Sequence, residues 1–351
     1  ETDSAGGFEA TLPPLSFIVE VSAPEYVSDS DNVYITEDAT TNVDVQLWPL
    51  GGSSASGDTL TVIMRPILSV PTITTPGETF VIEALAHEST SGWTASIARG
   101  GTSHDLDVVS ADYEDDYERW FLEVEVPDDA PAELYDLTVE ASGGLEDTER
   151  HAVSVRSSTD GDFYVIHVTD THMPTHRFYY ESGAESDSTE IEDFRAVIDD
   201  VNIINPAFVI HTGDLVSEGE LEDYLDRRYF TKAKRVLGEL EVPVYVTAGN
   251  HDLGGWDSTP PSDGTSRRNW WKFFGWRYLN DPSPGDDIHT QNYSFDYGGA
   301  HFTGLEAYNN YDRWRYNIYG SDSFTWDQRQ WLVSDLALSP PSTPKIVFYH
   351  M

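Results

Sequence analysis

The hydrophobic pattern of the 351-residue chain changes character once, near residue 158. Before that point, short apolar runs are separated by Gly, Pro, Ser and Asp, and several runs alternate apolar with polar residues, as in 122–126. Such alternation is typical of half-buried strands. After that point, strands alternate with longer amphipathic segments, which is typical of an α/β layer. The sequence therefore predicts a multidomain chain with an all-β N-terminal part and an α/β C-terminal part.

The all-β part is predicted to contain one or two β-sandwich modules. Its strand candidates are 16–21, 42–47, 59–64, 79–86, 120–126 and 134–141. A turn-rich stretch from Val70-Pro71 to Pro76-Gly77 suggests a boundary. We therefore expect a β-rich module over 1–69 and an immunoglobulin-like sandwich over 70–157, followed by the α/β domain over 158–351.

The α/β part alternates strand and helix signals along its length. Strands are predicted at 163–168, 207–211, 242–247, 293–297, 301–306 and 345–349. Helices are predicted at 189–202, where Thr189 and Glu192 form a capping box, at 220–240, and after Thr325 and Gln328.

The charge of the chain excludes a nucleic-acid binder that works through a basic face. Its 62 Asp and Glu against 20 Lys and Arg give a formal net charge of −42, and only four of the cationic residues are Lys. Dispersed carboxylates with few ammonium groups suit a protein that stays soluble in concentrated salt, where charges are screened over about 3 Å rather than about 10 Å. We expect a halophilic protein of archaeal type; the alternative is an ordinary acidic secreted protein.

Several further features bear on the compartment of the protein. The sequence has no Cys, which excludes disulfides, thiolate metal sites and cysteine nucleophiles. Its apolar stretches are far shorter than the roughly 20 residues that span a bilayer. Because it begins at Glu1 with a polar stretch, we expect a processed N-terminus and an extracellular or cell-surface location in a high-salt environment.

Polar side chains follow four of the predicted strands directly. Asp170-Thr171-His172 follows the first strand, Gly213-Asp214 the second and Asn250-His251-Asp252 the third, and His350 follows the strand at 345–349. In open α/β sheets, ligands bind beyond the carboxyl ends of the strands. We therefore expect these side chains to converge on one point.

Carboxylate, imidazole and amide groups together suit hard and borderline divalent metals. A carboxylate such as that of Asp214 can bridge two cations about 3.5 to 4 Å apart, the spacing that clamps an in-line displacement at phosphorus. Gly213 and Gly249 suit sharp turns that let the next side chain reach a metal.

This ordered set of motifs resembles the calcineurin-like metallophosphoesterase superfamily. The motifs of that family are Asp-x-His, Gly-Asp, Gly-Asn-His-Asp/Glu, a His after an apolar strand, and Gly-His-x-His. The first four are present in order at 170, 213, 249 and 350. The resemblance covers about 160–351 and implies an α-β-β-α layered domain.

Carried over residue by residue, the resemblance implies a binuclear metal centre. Asp170 and His172 would hold one metal, Asp214 would bridge, and Asn250 and His350 would hold the other. His251 would act as general acid or electrostatic stabiliser, with Asp252 orienting its ring. Two divalent or trivalent ions, drawn from Mn, Fe, Zn or Ni, would activate a bridging hydroxide that attacks a phosphate monoester or diester.

The fifth motif, Gly-His-x-His, is absent from this sequence, which ends at Met351. We expect the phosphoesterase domain to be truncated here and the natural protein to continue. The competing hypothesis is a cell-surface or filament-associated structural protein whose phosphoesterase fold carries an idle or incomplete site.

The resemblance also limits the substrate class. The position at which purple acid phosphatases place an iron-binding Tyr is Ser217, which argues against a tyrosinate-to-iron site. The residues after Asp214 also lack the Arg that Ser/Thr protein phosphatases carry there. The broad group of phosphomonoesterases and phosphodiesterases remains, with a small-molecule phosphate ester as the expected substrate.

Other candidates near the motifs have two interpretations each. His211 could be a metal ligand, but we favour a packed strand histidine. The aromatic cluster from Trp256 to Tyr278 could be a lid, but we favour a hydrophobic plug. Arg267 and Arg268 could contact phosphate, but we favour ion pairs.

Overall fold

We describe a computed structural model of the protein. The described residues are 10–21, 26–27, 29–35, 40, 48–49, 59–173, 188–217, 219, 222, 228–253, 265–275, 291–307, 324 and 326–350. Among them, we find no helix that combines the length and the hydropathy needed to cross a lipid bilayer.

Two small strand pairs precede residue 50. Strand β1 (Ser16–Val21) pairs antiparallel with β3 (Asp29–Tyr34), and β2 (Tyr26–Val27) pairs with β4 (Trp48–Pro49). The strand predicted at 42–47 lies outside the described residues. A separate module over 1–69 stays a prediction.

The next part of the chain forms an eight-stranded sheet. Its strands are β5 (Ile63–Arg65), β6 (Thr72–Thr74), β7 (Thr79–Ala84), β8 (Thr94–Arg99), β9 (Thr102–Glu114), β10 (Arg119–Glu125), β11 (Glu133–Ala141) and β12 (Leu145–Val155). Their order is β5-β7-β10-β9-β8-β11-β12-β6, and every pairing is antiparallel except that of β12 with β6. Strand β5 lies before the boundary predicted at residue 70 and still pairs with β7. The immunoglobulin-like assignment stays a prediction.

This sheet encloses one hydrophobic core, because alternate residues of its strands point inward. In β7, Phe80, Ile82 and Ala84 are buried, and in β10 Leu122 and Val124 are buried. Asp147 of β12 accepts hydrogen bonds from the backbone N–H groups of Val62 and Ile63 at 2.8 Å each. The two ends of the sheet therefore approach each other around this core.

The C-terminal part contains two three-stranded sheets. The first is parallel, with order β13 (Ile166–Val168), β14 (Val209–His211), β15 (Val244–Val246). The second contains β16 (Asn292–Tyr297), β17 (Ala300–Leu305) and β18 (Lys345–Phe348); β16 and β17 are antiparallel, and β17 and β18 are parallel.

An aromatic core lies between these two sheets. Phe208 before β14 contacts Tyr245 of β15 and Phe302 of β17 edge to face, with ring centroids 5.5 and 5.1 Å apart. Tyr245 stacks on Phe295 of β16 at 3.7 Å. Each such pair adds about 0.5 to 1.5 kcal/mol beyond the area that it buries, so the sheets are held face to face.

Helices cover the opposite face of the first sheet. They are α1 (Ser188–Ile204), α2 (Tyr229–Leu237) and α4 (Thr265–Phe274), whose apolar residues form one core with β14 and β15. A short helix, α3 (Asn250–Leu253), follows β15, and α5 (Trp326–Leu338) contacts the second sheet. The arrangement is the predicted α-β-β-α layering.

The eight-stranded sheet and the α/β part are joined by buried contacts. The backbone N–H of Val246 donates to the carbonyl of Ser69 at 2.9 Å, and that of Leu60 donates to the carbonyl of Lys272 at 2.7 Å. Leu68 belongs to the core of the α/β part. Lys234 of α2 pairs with Glu149 of β12, with Nζ 3.0 Å from Oε1.

Replacing Lys234 by methionine is expected to destabilise the protein by about 3 to 5 kcal/mol, because Glu149 would remain buried without a cation. Burial already raises the pKa of Glu149, although the charge of Lys234 opposes this rise. Chemical unfolding measures the effect. Arg235→Met, at an exposed position of the same helix, is the control, and equal losses in both variants would contradict a role for the pair.

A second buried polar cluster joins α5 to the second sheet. Asp335 Oδ2 accepts from the hydroxyl of Thr303 at 2.8 Å and lies 3.0 Å from Nε2 of His301. His301 Nδ1 lies 2.8 Å from Oδ1 of the exposed Asp296. Burial lowers the pKa of His301, but the two carboxylates outweigh it and raise the pKa above 6.5.

Protonated His301 is therefore expected to stabilise the fold in a pH-dependent way. A histidine with a raised pKa in the folded state stabilises fully below its unfolded pKa of about 6.5, and this contribution is lost as pH rises through the folded pKa. The free energy of unfolding of the wild type should fall over that window relative to His301→Gln. Parallel unfolding curves of the two proteins across this window would contradict the prediction.

Candidate metal centre

Two glycines let the loops after β14 and β15 meet backbone to backbone. Gly213 has φ +89°, and a Cβ there would lie 2.4 Å from the backbone nitrogen of Gly249. A Cβ on Gly249 would lie 2.3 Å from both the nitrogen and Oδ1 of Asp214. Only glycine fits either position without displacing backbone atoms.

The loops after β13 and β14 are also held together by backbone hydrogen bonds. The N–H of Asp170 donates to the carbonyl of Gly213 at 3.0 Å, and that of His172 donates to the carbonyl of Asp214 at 2.9 Å. Asp170, His172 and Asp214 all have left-handed φ angles, of 56°, 47° and 49°. Non-glycine residues persist in this conformation, which costs about 1 to 3 kcal/mol each, only where the surrounding structure holds them.

Side chains from four strand ends converge on Asp214, as the sequence predicts. Its Oδ2 lies 3.3 Å from Nε2 of His350, 3.6 Å from that of His172 and 4.0 Å from that of His251. His172 Nε2 lies 3.8 Å from Oδ1 of Asp170. Asp214 and His350 are buried, whereas Asp170 is exposed, so the centre opens to solvent on the Asp170 side.

Two of the imidazole rings are oriented by backbone carbonyls. His350 Nδ1 donates to the carbonyl of Thr212 at 2.7 Å, and His251 Nδ1 donates to the carbonyl of Ser217 at 2.7 Å. These bonds fix the Nδ1–H and leave Nε2 facing Asp214. Metal-binding histidines typically donate their other ring N–H in this way.

The close approach of these groups shifts their pKa values. Burial opposes ionisation of Asp214, but the hydrogen bond and charge of His350, with smaller contributions from His251, lower the pKa of Asp214. Burial lowers the pKa of His350, but the bond to Asp214 and its charge outweigh it and raise that pKa to about 9. The centre therefore favours a carboxylate at Asp214 with positive charge beside it.

The predicted role of Asp252 is corrected. Its carboxylate does not orient the ring of His251, because it accepts hydrogen bonds from the backbone N–H groups of Gly249, Val216 and Leu215 at 2.8, 3.0 and 3.2 Å. Burial and the charge of Asp214 raise the pKa of Asp252 to about 7, while these three donors lower it. Asp252 is therefore a positioning residue that joins the loop after β14 to the loop after β15.

The ionisable residues fall into two groups that share Asp214. One contains Asp170, Asp214 and His350, and the other contains His172, Asp214 and His251; in each, the candidate ligand atoms lie within 4.8 Å of one another. The predicted pairing of Asp170 with His172 on one metal stays a prediction, and His172 Nε2 lies 3.8 Å from Asp170 Oδ1. Asn250 is half-buried at the start of α3, and its role as a ligand stays a prediction.

The favoured interpretations of the neighbouring residues hold where the structure describes them. His211 is a buried strand residue. Trp270, Trp271, Phe273 and Phe274 of α4 lie in the hydrophobic core as a plug, and Arg267 is buried in an ion pair with Glu306. Trp256, Trp276 and Tyr278 lie outside the described residues, as does the side chain of Arg268.

Sequence reasoning missed the backbone carbonyls that orient the two rings. The hydroxyl of Ser217 also donates a hydrogen bond to the carbonyl of His172 at 3.0 Å, which ties the loop after β14 to the loop after β13. No side-chain motif could reveal the carbonyl acceptors, because every residue type has one.

Comparison with solved structures gives distant matches. A purple acid phosphatase from yellow lupin (Lupinus luteus) seeds matches with 13% identity and a TM-score of 0.38, over 79% of this chain and 50% of that one. A dimetal phosphatase from Danio rerio matches with 18% identity and a TM-score of 0.38, over 55% of this chain and 70% of that one. The chain thus spans half the length of the lupin protein.

Comparison with curated proteins gives no match. The model of the calcineurin-like phosphoesterase family, in contrast, matches residues 163–351, which is more than half of the chain and includes the whole candidate centre. The chain therefore belongs to the calcineurin-like phosphoesterase family.

Proposed function

We propose that the α/β domain hydrolyses a phosphate monoester or diester with two metal ions bound around Asp214. The observation that carries the proposal is the position of Asp214 Oδ2, within 4.0 Å of three imidazole nitrogens. Asp170 lies on the exposed side of the same centre. Membership of the phosphoesterase family supports the reaction type.

The donor set fits two cations. Carboxylate oxygens and imidazole nitrogens suit Mn, Fe, Zn and Ni, and each of the two residue groups around Asp214 offers three ligand atoms. The carboxylate of Asp214, which both groups share, would hold the bridging position. Bound there, two cations would supply positive charge to the phosphoryl oxygens and lower the pKa of a water molecule.

The residues of the chain then perform the remaining tasks. Asp214 is buried and ionised, so it fixes the charge at the middle of the centre. Hydrolysis adds water across the ester P–O bond, and the leaving oxygen takes up a proton. Because Nδ1–H of His251 donates to the carbonyl of Ser217, only the doubly protonated ring, with its second proton on Nε2, could supply that proton.

His251 could alternatively serve as a nitrogen ligand, since its Nε2 lies near His172 and Asp214. His251→Ala separates the two roles. A proton donor predicts unchanged Mn²⁺ stoichiometry with reduced turnover, most strongly for substrates with poor leaving groups. A ligand predicts loss of bound Mn²⁺.

The direct test is hydrolysis of p-nitrophenyl phosphate and bis(p-nitrophenyl) phosphate in Mn²⁺ and concentrated KCl. We expect turnover that chelation abolishes and Mn²⁺ restores, and the ratio of the two rates would assign monoester or diester preference. Absence of turnover with two Mn²⁺ bound would favour the structural protein with an idle site. Absence of Mn²⁺ binding would refute the metal centre.

We further propose that the protein works at the cell surface in concentrated salt. The net charge of −42 with four Lys supports this environment, because salt screens the self-repulsion. Unfolding measured at about 0.1 M and at molar KCl tests the salt requirement. Lower stability in molar KCl would contradict it.

A further inference from the structure

His211 contacts both the loop after β13 and the loop after β14, which carry proposed metal ligands. It is the last residue of β14, and its side chain is fully buried. Its Nδ1 lies 3.3 Å from the backbone nitrogen of Gly213, and its Nε2 lies 3.1 Å from the hydroxyl of Thr171. Thr171 stands between Asp170 and His172, and Gly213 precedes Asp214. The imidazole thus connects residues adjacent to three proposed ligands.

The hydrogen-bond partners select one form of this ring. The N–H of Gly213 can only donate, so Nδ1 must be the acceptor. The hydroxyl of Thr171 donates its single proton to the carbonyl of Leu215 at 3.2 Å, so it accepts from Nε2–H. The neutral Nε2–H tautomer is the one that satisfies all three bonds. Burial favours the same neutral ring, since it lowers the pKa of His211 to about 4.

The position of this link matters because the loops need support. Asp170, His172 and Asp214 adopt left-handed φ angles that L-residues keep only under constraint from their surroundings. Thr171 lies between two of them, and its hydroxyl reaches across to Leu215, which follows Asp214. Fixing the Thr171 hydroxyl therefore constrains both loops relative to each other.

We propose that His211, acting through Thr171, is a positioning residue that holds Asp170 and His172 in register with Asp214. This inference rests on the proposed metal-dependent function for its consequence, but the bonding pattern belongs to the chain itself. His211 does not reach the reacting atoms, so its effect should appear first in metal affinity.

The test is a double-mutant cycle on Mn²⁺ affinity with His211→Phe, Thr171→Val and the combined variant. Loss of an outer-shell partner weakens metal binding by about 10- to 100-fold, so we expect about a tenfold rise in the Mn²⁺ dissociation constant in each single variant. Because both changes remove the bond between His211 and Thr171, the loss of affinity in the double variant should be smaller than the sum of the two single losses. Thr171→Ser, which keeps the hydroxyl, should restore the wild-type affinity.

His301→Phe is the matched control, because it removes a buried histidine from the second sheet, away from the ligand-bearing loops. Its Mn²⁺ affinity should equal that of the wild type. Unchanged affinity in His211→Phe or Thr171→Val, or additive losses in the double variant, would overturn the inference.

A measurement without added metal separates this inference from the proposed function. In ¹⁵N-histidine-labelled protein, NMR should show His211 as the Nε2–H tautomer, and amide exchange at residues 170–173 should accelerate in His211→Phe. An Nδ1–H tautomer, or unchanged exchange, would overturn the inference whatever the enzyme does. Wild-type protein that binds Mn²⁺ without turnover would instead refute the proposed function alone.

Discussion

Replacing Asp214 by alanine is expected to abolish binding of two Mn²⁺ ions and to lower the rate of phosphoester hydrolysis by more than about 100-fold. Loss of a residue that only supports a metal ligand costs up to about 100-fold, and Asp214 is a proposed ligand itself. The side chain lies at the centre of both residue groups, and its Oδ2 is the oxygen that three imidazoles approach. No neighbouring carboxylate among the described residues can replace it there, because Asp170 lies on the exposed side and Asp252 is engaged by three backbone donors. Equilibrium dialysis and steady-state kinetics measure the two effects.

Two further variants make this result interpretable. Asp214→Asn keeps an oxygen that can accept the backbone N–H of His251, which donates to Oδ1 at 2.9 Å, but it removes the negative charge. We expect it to fold better than the alanine variant and still to lack the second ion. Asp199→Ala, at an exposed position of α1, should behave as wild type. Two Mn²⁺ ions bound to Asp214→Ala would contradict a bridging position.

The convergence of side chains at the strand ends could be predicted from the sequence, because the geometry of a parallel sheet determines it. Parallel strands place their carboxyl ends at one edge, so Asp170, Asp214 and Asn250 had to follow neighbouring strands there. The same reasoning could not assign Asp252, for which the family resemblance implied a contact with the ring of His251. The N-terminal turn of α3 instead directs this carboxylate back to Gly249 and the loop after β14.

The all-β part shows where hydrophobic patterning fails. Strand β12 is eleven residues long and alternates buried with exposed positions over 145–151, but three of its inward residues are Asp147, Glu149 and His151. Polar residues at inward positions conceal the alternation, so the pattern predicts no strand there. The carboxylates are tolerated because backbone N–H groups and Lys234 satisfy them. The pattern also misses strand β9, because most of its residues are exposed or only half-buried.

The loops of the centre hold left-handed residues against their intrinsic preference, so this part of the fold depends on close backbone contacts. Asp170, His172 and Asp214 have left-handed φ angles, and their side chains converge on one point. Hydrogen bonds that Asp252 accepts and that Ser217 and His211 donate offset part of the cost. The glycines that allow the loops to touch should therefore be the most sensitive positions of the centre.

Gly213→Ala is expected to destabilise the protein by at least about 3 kcal/mol and to eliminate Mn²⁺ binding, since large losses arise where strain and a clash coincide. Its φ of +89° disfavours any L-residue, and the new Cβ would lie 2.4 Å from the nitrogen of Gly249, so one of two ligand-bearing loops must move.

Gly299→Ala isolates the effect of the positive φ, because that residue also has a positive φ, of +73°, but its new Cβ would have no described atom within 4 Å. We expect it to cost only about 1 to 2 kcal/mol, the penalty of a left-handed L-residue, and to leave Mn²⁺ affinity unchanged. Chemical unfolding and equilibrium dialysis of both variants measure the difference; equal losses would mean that the contact between Gly213 and Gly249 does not determine the geometry of the centre.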